Sequence, residues 1–296
     1  MDADTPRLVS NGDGVGLHDS MSVHFVGSLK GDRMHIFSRQ TYRSVCAAGV
    51  MTALSLSAHG QAKSSASALC SAQSGAIKPT ILELYTSEGC DSCPPADRWL
   101  SALVEAPGAG NTVALSFHVD YWDYIGWKDE FARKDFGLRH AALVRSARAS
   151  GVYTPQLFIN GRDDRGWAVG IRPASETRAA TAALVLTAQW HGERLSFQGR
   201  LSSASGKPNL EEGVRLRYAV AENGIVTHVK AGENRGVTLK HDALVRDHGY
   251  ITVLRDGTFS AVATLPPKSR RANSQLHVIA ETTAGEAISA VSLRCD

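Results

Sequence analysis

The chain has 296 residues, enough for about two domains of ordinary size. Hydrophobic residues make up 43% and charged residues 21%, the balance of an ordinary globular protein. The net charge is only +3 and no run of Lys and Arg is dense enough to track phosphates, so nucleic acid is excluded as the expected partner.

Residues 1–33 carry no sustained helical or strand period and are glycine-rich around Gly12–Gly16. They read as an over-extended N-terminus, with translation starting at Met34. Residues 34–62 read as a secretory signal peptide. Arg39 and Arg43 come first, an apolar run extends from Ser44 to Ala58, and small residues follow. The run is shorter than the ~20 residues a membrane span needs; the alternative is an N-terminal anchor. Cleavage near Gly60 or Ala62 predicts a periplasmic or secreted protein with no membrane span. It removes Cys46 and leaves Cys70, Cys90, Cys93 and Cys295, an even set suited to disulfide chemistry.

Residues 63–78 are rich in Ser and Ala and read as a flexible leading segment. Strands are expected at Thr80–Thr86, Thr112–Val119 and Gln156–Asn160, with a short fourth at Trp167–Gly170. Helices are expected at Cys90–Val104, Asp129–Ser150 and Pro173–Leu186. This alternation over 79–186 predicts a layered α/β domain with at least one parallel strand pair. Residues 187–296 hold short, partly alternating apolar segments separated by turns such as Glu222–Gly224 and Arg255–Gly257. They predict a mainly β, sandwich-like C-terminal domain. The alternative is a set of strands that extends the first sheet.

The segment that carries chemistry is Tyr85-Thr-Ser-Glu-Gly-Cys-Asp-Ser-Cys-Pro-Pro95. A strand runs into Cys-x-x-Cys and a helix follows. At a helix N-terminus, free N–H groups and the helix dipole favour a thiolate, the reactive form of Cys90. Asp91 opposes this with its own negative charge. Cys93 is close enough to close a disulfide and is expected to be the more shielded of the two. Some sixty residues on, Tyr153-Thr-Pro155 leads into a strand, and an X-Pro bond is permitted to be cis. In thioredoxin-like folds a cis-proline at this point lies beside the cysteine pair. A zinc half-site is the alternative, and no second Cys-x-x-Cys completes it.

Three segments, Glu83 to Asp97, His118 to Asp129 and Tyr153 to Gln156, closely resemble the bacterial family called domain of unknown function 1223. Gly232-Glu-Asn-Arg-Gly236 and His241 to Arg246 extend the resemblance, while Arg139-His140 to Arg148 departs from it. It implies an exported protein with an α/β thioredoxin-like domain, here followed by the mainly β C-terminal domain. Cys90, Cys93 and Pro155 are then the expected catalytic set.

Glu83 joins that set as a buried carboxylate able to relay protons to Cys93 if burial raises its pKa; a satisfied hydrogen bond or an edge position is the plainer reading. Thr154 and the aromatic residues Tyr121, Trp122, Tyr124 and Trp127 are candidate substrate contacts, or packing of an inserted loop. His118 and Asp120 end a strand, and His118 with the two thiols makes an alternative copper site. Glu233, Asn234, His241 and Arg246 read as turn and strand chemistry or as a second site. Cys70 and Cys295 flank the mature chain and are expected to pair. The leading functional expectation is a periplasmic thiol–disulfide oxidoreductase without a cofactor, acting on protein thiols or disulfides. A copper metallochaperone and a non-catalytic interaction module are the alternatives.

Overall fold

A computed structural model of the protein describes residues 68–106, 111–205 and 213–295. The stretches read as an over-extended N-terminus, residues 1–33, and as a signal peptide with Cys46, residues 34–62, lie outside the described residues, as does the first part of the leading segment.

Fourteen strands and two α-helices make up the described chain. In chain order they are β1 Cys70–Gln73, β2 Thr80–Thr86, α1 Pro94–Val104, β3 Thr112–His118, α2 Lys134–Ala147, β4 Gln156–Ile159 and β5 Arg162–Asp164. Then come β6 Ala182–His191, β7 Arg194–Ser203, β8 Val214–Glu222, β9 Ile225–His228 and β10 Thr238–His241. The last four are β11 Leu244–Ile251, β12 Thr258–Thr264, β13 Ser274–Thr282 and β14 Ala287–Leu293. Short 3-10 turns occupy Asp120–Ile125, Gly166–Val169 and Arg271–Asn273.

One sheet of eight strands runs β14-β13-β8-β11-β3-β2-β4-β5, and one of four runs β1-β6-β7-β12. Strands β9 and β10 form a separate hairpin. The β2–β3 pair is parallel over its whole length, from Thr80 beside Thr112 to Thr86 beside His118. Every residue of β2 is buried, as expected of a strand with neighbours on both edges and covered faces.

The expected fold class is corrected here. An α/β thioredoxin-like domain over 79–186 followed by a separate β sandwich is not what the chain forms; the fold is mainly β. Strands β8, β11, β13 and β14, from the C-terminal stretch, continue the same sheet as β2, β3 and β4. Only β2–β3 and a single β3–β11 contact are parallel, so strand pairing is overwhelmingly antiparallel. The remaining strands of that stretch, β6, β7 and β12, join β1 in the smaller sheet.

Local expectations shift accordingly. The helix expected over Pro173–Leu186 is absent, and from Ala182 the chain is β6, burying Ala182, Leu184, Leu186, Ala188 and Trp190 in strict alternation. The strand expected at Trp167–Gly170 is a 3-10 turn, and the leading segment contains β1. The helix expected from Cys90 begins at Pro94, where proline needs no hydrogen-bond partner for its missing N–H.

Three clusters of apolar side chains hold these layers. The smaller sheet meets β8, β13 and β14 through Leu184, Leu186, Phe197, Val220, Leu276 and Val291. Helix α2 brings Phe136 and Val144 to Tyr85, Phe117 and Phe158. Helix α1 brings Ala96 and Leu100 to Leu82, Leu84 and Leu157. A disulfide joins Cys70 to Cys295 with Cα atoms 5.7 Å apart, which fastens β1 to the end of the described chain, as expected. No helix among the described residues is long and apolar enough to cross a membrane.

Candidate functional site

The site lies where β2 ends. Cys90 and Cys93 form a disulfide, with Cα atoms 5.4 Å apart. Cys93 is the N-cap of α1, and Cys90 occupies the turn before it, its N–H donating to Ser87 O at 3.2 Å. The helix dipole therefore acts first on Cys93. Both cysteines have 0% exposure, so the expectation that Cys90 is the more open one is not met.

Cys90 Sγ receives the Thr154 hydroxyl at 3.4 Å and lies 3.5 Å from the Ser92 hydroxyl. The Thr154–Pro155 peptide is cis and stands at the start of β4. The Trp122 indole N–H donates to Thr154 Oγ1 at 2.6 Å, which holds the 3-10 turn against the cysteine loop. At Gly89, an added Cβ would come within 3.3 Å of Trp122 Cβ, so a side chain there crowds the same contact.

The aromatic residues divide. Trp122 and Trp127 turn inward, and the Trp127 indole donates to Glu88 Oε2 at 2.8 Å. Tyr124 is 82% exposed and Tyr121 lies at the surface with its hydroxyl 3.3 Å from His140 Nδ1.

Behind the cysteine loop lies a buried cluster of acids and histidines. Its members are Glu88, Asp97, His118, Asp129 and His241. His118 Nδ1 is 2.7 Å from Asp129 Oδ2, which also accepts the Glu88 N–H at 2.9 Å. His241 Nε2 is 3.0 Å from Glu88 Oε1. The two imidazole rings meet edge to face at 4.8 Å. Thr86 Oγ1 donates to Asp97 Oδ2 at 3.1 Å.

Burial alone works against a charged His118, but Asp129 beside it outweighs that and raises its pKa. Asp129 is the converse case: burial pushes its carboxyl up and His118 brings it below the usual range. Asp97 is different. Burial raises its pKa, and His241 and His118 offset only part of the rise.

The loop between β9 and β10 completes the site. Both Asn234 Nδ2 hydrogens are used, donating to Glu88 O at 2.8 Å and to Cys90 O at 2.9 Å. Glu233 Oε2 accepts the Asp91 N–H at 3.4 Å. Residues 233, 234 and 241, read from the sequence as turn and strand chemistry or a separate site, thus surround the cysteine loop. Arg246 does not; its guanidinium lies over the Phe131 ring, 5.0 Å from the centroid, and its Nε is 3.5 Å from Glu222. Glu88, Asp97 and Asp129 lie within the segments that carry the family resemblance, but the sequence assigns them no role. The four-residue step from Cys93 to Asp97 is the one spacing that ties any of them to the cysteine pair.

Glu83 is placed elsewhere and needs correction. Its carboxylate pairs with Arg217 at 2.7 Å and with Arg139 at 2.8 Å, and accepts the Tyr85 hydroxyl at 3.2 Å. Burial pushes its pKa up, but the two guanidiniums prevail and hold it at about 2. It is a fixed anion in a buried ion network that continues through Arg217 to Glu281 at 2.7 Å, and not a group that exchanges protons near neutral pH.

The metal alternative gains no ligand set here. His118 is held by Asp129, and among the described residues no group of three or more His, Cys, Asp and Glu is arranged to hold a metal. Asp120 lies in the 3-10 turn, with its Oδ1 3.5 Å from where a Cβ on Gly137 would stand.

Among solved structures, the chain is similar to HBP35 of Porphyromonas gingivalis, with 15% identity, 75% of this chain and 76% of that one covered, and a TM-score of 0.51. That likeness concerns the fold alone. It is also similar to protein AGR_C_4864 from Agrobacterium tumefaciens, with 22% identity, 74% of this chain and 95% of that one covered, and a TM-score of 0.46. A comparison with curated proteins gives no match. The family described as "protein of unknown function (DUF1223)" matches residues 81–281, the stretch that contains the cysteine loop, the acid–histidine cluster and the β9–β10 loop, and the chain belongs to that family.

Proposed function

We propose that the protein is a thiol–disulfide oxidoreductase of an oxidising compartment outside the cytoplasm, acting through Cys90 and Cys93 on protein thiols or disulfides. The observation that carries this reading is the disulfide between two cysteines three residues apart, with a hydroxyl donor directed at one sulfur. A donor favours the charged form of the group it faces, so Thr154 favours a thiolate at Cys90. Cys90 is then the sulfur that forms the mixed disulfide, and Cys93 is the sulfur that leaves or resolves. The chemistry uses these two sulfurs and needs no bound cofactor.

Access is the first requirement, since both sulfurs are covered. Release of the Trp122–Thr154 hydrogen bond uncovers Cys90 from the side of the 3-10 turn. Exposed Tyr124, with Tyr121 beside it, supplies an apolar rim against which an extended partner segment rests. Thr154 and Pro155, just before β4, stand beside Cys90, with the Thr154 hydroxyl 3.4 Å from its sulfur.

The test is trapping in the periplasm of a bacterial host. Cys93→Ser accumulates reducible higher-mass adducts, because Cys90 attacks and nothing releases it; Cys90→Ser accumulates none. If Cys93→Ser yields no adducts while the wild type retains stoichiometric copper, the metallochaperone reading replaces this one.

A further inference from the structure

We propose that Asp97 and His118 form a buried proton store for the cysteine pair, which delivers the proton that Cys93 takes up when the disulfide opens. This rests on the oxidoreductase reading and names the groups that make it work.

The geometry begins with helix spacing. Asp97 follows Cys93 by four residues, and its N–H donates to Cys93 O at 3.2 Å. Residues four apart share a helix face, with Cβ atoms about 5–6 Å apart. Cys93 and Asp97 are both buried, so the face they share points inward. Each element around Asp97 contributes a group to it. Thr86 of β2 gives a hydroxyl hydrogen, His118 of β3 and His241 of β10 bring imidazoles, and Asp129 and Glu88 bring further carboxyls.

Within this cluster one atom is unaccounted for. His118 Nε2 is fully buried and has no hydrogen-bond partner, while Nδ1 of the same ring is held by Asp129. A buried polar atom left without a partner forfeits its hydration for nothing in return, so its retention asks for a reason. Carrying a proton toward Asp97 is such a reason. The raised pKa values of Asp97 and His118 agree with a cluster that holds protons.

The step balances as follows. A dithiol reductant supplies the electrons, and its thiolate attacks Cys90 Sγ. The Cys90–Cys93 bond breaks and its electron pair passes to Cys93 as a thiolate. That anion would sit unpaired in a dry site beside carboxyl groups, at high cost. Asp97 gives its proton to Cys93 Sγ and is reprotonated from His118 Nε2. The second thiolate of the reductant then attacks the mixed disulfide, releases Cys90 as a thiolate and leaves as a disulfide. In the oxidising direction each transfer reverses, and the store takes the Cys93 proton.

The experiment follows disulfide opening by dithiothreitol in the purified full chain between pH 5 and 9. Asp97→Asn keeps the shape and the acceptor for Thr86 but cannot give a proton. It is expected to lower the rate by about a hundredfold at pH 6 and to remove an inflection from the pH profile. His118→Gln is expected to shift the same inflection, and serves if Asp97→Asn does not fold. A folded variant of either kind with the wild-type rate and profile overturns the proposal. Dithiothreitol needs no protein partner. If Cys93→Ser traps nothing while the Asp97-dependent profile is present, the partner reading fails and the proton store stands.

Discussion

Thr154 Oγ1 donates to Cys90 Sγ at 3.4 Å while accepting the Trp122 indole at 2.6 Å, so one hydroxyl both favours the thiolate and keeps it covered. Thr154→Val removes both bonds and conserves the shape. A single hydrogen bond is worth about 1 kcal/mol, about a fivefold change in an equilibrium. Alkylation of Cys90 in the reduced variant is therefore expected to slow by about that factor, and the oxidised variant to open faster as Trp122 loses its anchor. Alkylation rates against pH and the rate of reduction by dithiothreitol measure the two effects, and both unchanged would contradict the assignment.

Asn234 reaches the site from more than 140 residues away in sequence and supplies two donors to two backbone carbonyls. Asn234→Asp replaces those donors with acceptors. It is expected to destabilise the fold by about 1–3 kcal/mol, because Glu88 O loses its donor and Cys90 O keeps only the Cys93 N–H, at 3.3 Å. Urea unfolding gives the stability change. A reduction potential that moves with it separates a brace on the cysteine loop from a packing residue elsewhere.

Glu83 sets the acid limit of stability. Its folded pKa is about 2 against an ordinary 4.5, so the folded state binds its proton less readily than the unfolded state. The contribution is complete above pH 4.5 and disappears as pH falls through about 2. The difference amounts to about 3 kcal/mol at neutral pH. His140 and His277 are held by burial at about 4, below their usual 6.5, so their contributions are complete above pH 6.5 and are lost as pH falls to about 4. Glu83→Gln is expected to erase the lower phase of the acid unfolding curve and leave the upper one. It also takes from Arg139 its carboxylate partner, while Arg217 keeps Glu281, at a cost of about 3–5 kcal/mol. A lower phase that persists in the variant would assign it to another group.

Gly199 lies in the middle of β7, paired between Leu186 and Phe259. A Cβ there would stand 2.1 Å from Val185 O and 2.6 Å from Phe259 Cζ. The first is backbone and cannot rotate away. Gly199→Ala is expected to destabilise by about 1–3 kcal/mol or more through forced separation of the strands. Thermal melting checks it, and an unchanged midpoint would show that β6 and β7 part at little cost.

The central strands were legible because β2, β3 and β4 are compact apolar runs bounded by turn residues, and the cysteine pair because its spacing is short. Ala182 to Leu186 was not. Its run of Ala, Leu and Val satisfies helical propensity, and only pairing with β1 on one side and β7 on the other selects the strand. The fold class was hidden for the same reason: alternation of elements in 79–186 does not reveal that β11 and β8, from much later in the chain, extend the sheet beside β3. Glu83 carried no sign of its partners, since Arg139 and Arg217 lie 56 and 134 residues away. Asn234 and His241 looked like turn and strand-end residues, and their role rests on contacts that no spacing records.

The Cys70–Cys295 bond turns the chain between those positions into a closed covalent circle. A protease that cuts one surface turn within it opens the circle into a line and frees no piece, so a single nick leaves the mass of the molecule intact until a reductant arrives. Force applied at the two ends passes through the sulfur bridge and not through the sheets, which therefore bear no load while the bridge lasts. The circle also has no preferred starting point, and a surface turn such as that at Gly192, between β6 and β7, can serve as new ends once 70 and 295 are joined by peptide.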